Sequence, residues 1–127
     1  TLKAALFNTG RPVMMCPLRA TPPETLCDKV AIAWNGSIES SRAVATTLGI
    51  LEQASEVTIL SGGIEVNGAD SANLLSYLLA RGVNAKVEKL AAVKKVGKEL
   101  LLHCSDSDID TLIMGAYSNS HERETFF

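Results

Sequence analysis

Lys29-Val30-Ala31-Ile32-Ala33-Trp34-Asn35-Gly36-Ser37 places an almost unbroken apolar run directly before a polar turn. A strand that is apolar on both faces has to be covered on both faces, which is the condition of a central strand in a parallel sheet. Asn35-Gly36 interrupts the run, and Ser37 is a residue type that caps helices through its hydroxyl. Beyond it Val44, Leu48 and Leu51 recur at helical spacing, so the sequence predicts a helix from Ser37 through Leu51. Strand, turn and helix in that order make the first half of a parallel crossover unit.

The same alternation continues downstream. Val57 to Leu60 is a second strand, followed by a loop over 61–69 with three glycines. Asp70 or Ser71 caps the next helix, with Leu74, Leu75, Leu78 and Leu79 as its buried stripe and Gly82 as a left-handed stop. Val83 to Leu90 alternates, Ala85 and Val87 against Lys86 and Glu88, which reads as a half-exposed strand at a sheet edge. A helix over about 93–105 turns Val96, Leu100 and Cys104 inward and Lys94, Lys95, Lys98 and Glu99 outward. Asp110 to Met114 is the fourth strand, and Gly115 ends it. The expected class is α/β, an open parallel sheet with helices on both faces.

The ends read differently. Leu2, Ala5 and Leu6 share a face, so Thr1 to Phe7 reads as the end of a helix stopped by Gly10. Arg11 to Pro17 is a short apolar run bracketed by prolines, read as a strand. Leu18 to Cys27, with Pro22-Pro23, is an exposed connection. After the loop Tyr117-Ser118-Asn119-Ser120 a further helix opens, and Phe126-Phe127 would then need a surface to cover them, the mark of a truncation or a disordered tail.

With 127 residues, 46% hydrophobic and 20% charged, the chain suits one domain with a real core. A formal charge of -2 gives no global attraction to nucleic acid or an anionic membrane, and 5% aromatics argues against a stacking platform for single strands. The apolar stretches are too short to span a bilayer, and Thr1-Leu2-Lys3 lacks the order of a signal peptide, so the expected compartment is the cytoplasm. Cys16, Cys27 and Cys104 are odd in number and widely spaced, hence expected as free thiols.

In an open parallel sheet ligands bind at the carboxyl ends of the strands, where the strand order reverses. The loops there are Trp34 to Ser37, Leu60 to Gly63 and Met114 to Ser120. Two of them open a helix with small hydrogen-bonding residues, an arrangement that suits a phosphate and equally suits plain capping by Ser37 and Ser120. Neither GxGxxG nor GxxxxGK[ST] occurs, which disfavours a dinucleotide site and a P-loop. Adjacent His103 and Cys104 point about 100° apart on a helix and make a poor nucleophile pair. Asp106, Asp108 and Asp110 match the start of a calcium loop, but Thr111 and Tyr117 stand where it needs Gly and Glu. No metal site and no catalytic residue is expected. Lys86, Lys89, Lys94, Lys95 and Lys98 read as a solvated face, and His121 as a lone surface histidine.

Ala33-Trp34-Asn35-Gly36-Ser37, Arg81-Gly82-Val83, Val96-Gly97, and Leu112-Ile113-Met114-Gly115-Ala116-Tyr117 with Ser120 and Arg123-Glu124 together resemble a universal stress protein domain. The resemblance covers nearly all of 28–127. Phe7 to Val13 is similar to the passage into the last strand of a preceding domain of the same kind. It implies residues 1–17 as a remnant of that domain, helix end plus strand, 18–27 as linker and 28–127 as the domain proper.

The implied fold, of adenine nucleotide alpha hydrolase type, has strand order 3-2-1-4-5. Here the fifth strand is missing or supplied by residues 12–16. The implied function is regulatory binding of ATP or AMP in stress response, magnesium entering with ATP, in a homodimer paired through the sheet edge or a tandem chain. Gly115 matches the first glycine of the family's nucleotide motif. Ser118 replaces the second, the third would be residue 128, and Asn35 stands where many members carry aspartate. On this carry-over Ala33, Ile59 and Met114 wall an adenine, Asn35, Ser118 and Ser120 donate to ribose or phosphate, and Arg123 is the nearby cation. The same residues have plainer uses as core, caps and a solvated charge. Two other readings stay open: an interaction module with a degenerate nucleotide site, and an adenine nucleotide hydrolase.

Overall fold

The computed structural model describes residues 2–9, 11–15, 24–62, 71–90 and 96–115. Helix α1 (Leu2–Asn8) comes first; the rest alternates as β1 (Lys29–Trp34), α2 (Ile38–Thr46), α3 (Leu48–Gln53), β2 (Glu56–Gly62), α4 (Ser71–Ala80), β3 (Ala85–Leu90), α5 (Val96–Asp106) and β4 (Thr111–Met114). The four strands form one sheet in the order β3-β2-β1-β4, every neighbouring pair parallel. This is the expected α/β architecture, with β3 at an edge as its alternation predicts.

Parity within the strands sorts the core into two layers. Val30, Ile32 and Trp34 of β1, with Val57, Ile59 and Ile113, pack under Val44, Leu51, Leu74 and Leu78 of α2, α3 and α4. Ala31, Ala33 and Leu60 face the other way, onto Leu100 and Cys104 of α5. Every residue from Val30 to Trp34 is at most 6% exposed, which is why the strand reads as one apolar run.

The helix expected from Ser37 through Leu51 is two helices. The Thr46 hydroxyl donates to the Arg42 and Ala43 carbonyls, and the Thr47 hydroxyl to those of Ala43 and Val44. Such back-bonding competes with the helical ladder. Thr47 leaves helical geometry at φ -108°, ψ 10°, and α3 restarts on its carbonyl through Ile50 and Leu51. In α4 the buried stripe is Leu74 and Leu78 with Leu75 half-buried, whereas Leu79 is 52% exposed. The chain turns at Gly82 (φ +79°), with Gly82 N–H on Leu79 O and Val83 N–H on Leu78 O, and this turn carries Val83 rather than Leu79 into the core.

Residues 12–15, expected as part of a strand, have no regular structure. Met14 and Met15 are both exposed, and Pro12 has no N–H to give a ladder. Within the described residues the sheet therefore ends at β4 on that side. Cys16, Pro17, residues 18–23, 93–95 and the expected helix after Ser120 lie outside the described residues.

The end of the expected linker is tied down. Asp110 accepts hydrogen bonds from the N–H groups of Asp28 and Lys29 and from the hydroxyls of Thr25 and Thr111, while Cys27 N–H donates to Thr111 Oγ1. One carboxylate thus fixes the starts of β1 and β4. Burial on its own raises the Asp110 carboxyl, but the donors at Lys29, Thr111, Thr25 and Asp28 together outweigh it and hold it below the ordinary carboxylate value. A carboxyl lowered by folding contributes stability above its unfolded value, near about 3.9, and loses it as pH falls through the folded value. Asp110→Asn should therefore flatten the fall of melting temperature below about pH 4, and cost about 1–2 kcal/mol at neutral pH, since solvent screens a part-buried carboxylate. Parallel melting curves across pH for both proteins would remove Asp110 as the acid-sensitive tie.

Candidate functional site

The chain leaves β1 for β2 on one side and later returns to place β4 on the other, so the strand order reverses between β1 and β4. Their carboxyl ends are nearly level, with Ala33 opposite Met114. A crevice outside this point is where open parallel sheets bind ligands.

The turn leaving β1 is built from its own polar groups. Asn35 Oδ1 accepts from Ser37 N–H at 3.0 Å, and Gly36 between them takes φ +77°. Glycine enters that left-handed region without the Cβ penalty other residues carry. Ser37 Oγ then accepts from Ser40 N–H at 3.1 Å, capping α2 as the sequence predicts. Ser40, only 3% exposed, returns its hydroxyl to Ser37 O at 2.9 Å. Glu39, also in the first turn, is an acid at the positive end of the helix dipole.

Gly115 comes up against this turn from β4. A Cβ at Gly115 would lie 2.7 Å from Glu39 C, 2.7 Å from Ser40 N and 2.9 Å from Glu39 Cβ. The absence of a side chain lets the end of β4 seat under the first turn of α2, which packs on β4 as well as on β1. The structure thus brings Asn35 and Gly115 to the same corner. Ala33 and Met114 lie one residue back on the strands, on the face turned to α5. Ile59 is not with them: it is fully buried among Ile32, Leu51 and Leu78 on the opposite face. Ser118, Ser120 and Arg123 lie outside the described residues. Sequence reasoning passed over Ser40, whose signal was the spacing of Ser37 and Ser40 at the helix start.

Other titratable groups gather elsewhere. Lys86 Nζ lies 2.9 Å from Glu56 and 3.4 Å from Glu88, and Glu88 Oε2 lies 2.7 Å from His103 Nε2. Hydrogen bonding and charge from Lys86 lower the Glu56 carboxyl, and Glu56 and Glu88 in turn raise the Lys86 ammonium. These side chains stand on the α5 side of the sheet and link β2, β3 and α5. Burial pushes the Cys104 thiol up, away from the thiolate that a nucleophile needs. Among the described residues no group of three His, Cys, Asp or Glu side chains could hold a metal ion, and no helix is long and apolar enough to cross a membrane. Comparison of the chain with family models, with curated proteins and with solved structures returns no match.

Proposed function

We propose that this domain binds an adenine nucleotide, ATP or AMP, at the carboxyl ends of β1 and β4, and serves a regulatory role of universal stress protein type in the cytoplasm. The observation that supports this reading best is the seating of Gly115 against the first turn of α2 beside the Asn35 turn, at the reversal of strand order. On this reading Asn35 and the start of α2 serve phosphate or ribose, Ser118, Ser120 and Arg123 add donors and a cation, and Ala33 with Met114 borders the base. Magnesium comes with ATP, carried on its phosphates. A homodimer paired through the sheet edge, or a second domain of the same kind, completes the assembly.

A second reading, an interaction module, is favoured by one observation. Helix α4, SANLLSYLLA, carries no charge and exposes Tyr77 and Leu79. Equilibrium dialysis of the full chain against labelled ATP and AMP, with and without magnesium, separates the two. Saturable one-site binding is expected. It should weaken about tenfold in Asn35→Ala, the value of one hydrogen bond to a charged group, with a melt to confirm that the variant is folded. Glu39→Gln should tighten it a few-fold by removing a like charge. Folded protein that takes up neither nucleotide at millimolar concentration, yet self-associates in sedimentation, would replace the first reading with the second.

A further inference from the structure

We draw no further inference here: the strongest candidate, the outer face of α4 where Tyr77 and Leu79 are exposed, already carries the Arg81 guanidinium 5.2 Å from the Tyr77 ring, and nothing in the structure shows what covers the rest of it.

Discussion

Gly115→Ala is expected to lower the melting temperature by about 7–15 °C, the consequence of about 2–4 kcal/mol spread over an unfolding entropy of about 2.1 cal/mol/K per residue. The new methyl would meet Glu39 C and Ser40 N at 2.7 Å, and both are backbone atoms that no rotamer change can move aside. Relief requires α2 to lift from β4. Ser40 N is also the donor to Ser37 Oγ, so a lifted first turn loses its cap, itself worth about 1 kcal/mol. Gly49→Ala is the control. Gly49 lies in α3 with nothing within 4 Å of an added Cβ, and there alanine should raise stability by up to about 1 kcal/mol through helix propensity. Calorimetric melts of the two variants should move in opposite directions. Equal melts for Gly115→Ala and the parent would mean that β4 does not seat under α2 as described. The loss should also extend to nucleotide uptake, since the same displacement parts Asn35 from the end of β4.

Much of this architecture was legible because burial writes directly into residue type. Val30 to Trp34 is apolar throughout because both its faces are covered, and β3 alternates because it lies at an edge. The break at Thr47 was not legible, since two threonine hydroxyls bonding back to carbonyls leave no trace in the spacing of Val44, Leu48 and Leu51. Nor was Asp110, whose partners Thr25, Asp28 and Lys29 are more than eighty positions away along the chain. In sequence it is one of three aspartates in a polar turn. Gly115 could be read as a strand terminator, but its close approach to Glu39 and Ser40 follows from packing between α2 and β4. Asn35 and Ser37 were legible as a turn and cap because both act within a few residues of themselves.

Ile59 shows what register decides. It pairs with Ile32, whereas Ala33 pairs with Leu60 and Met114, so a shift of one position separates the face proposed to border the base, turned to α5, from the core layer under α2, α3 and α4. Ile59→Ala should cost about 3–4 kcal/mol, within the range for a fully buried isoleucine, or about 11–15 °C in melting temperature. Met114→Ala should cost less, because Met114 is only half-buried and part of its surface already meets solvent. Ligand binding should order the pair the other way. Measured below the melt and expressed per folded molecule, nucleotide affinity should be unchanged in Ile59→Ala and reduced several-fold in Met114→Ala. The two side chains belong to separate clusters on opposite faces, so their stability losses should add to within about 0.5 kcal/mol in the double variant. Equal affinity losses in both single variants, or a strongly non-additive pair, would put Ile59 in contact with the ligand and reverse the assignment of faces. The arrangement of the core and the location of the site are therefore decided by the same two substitutions, because one register fixes both.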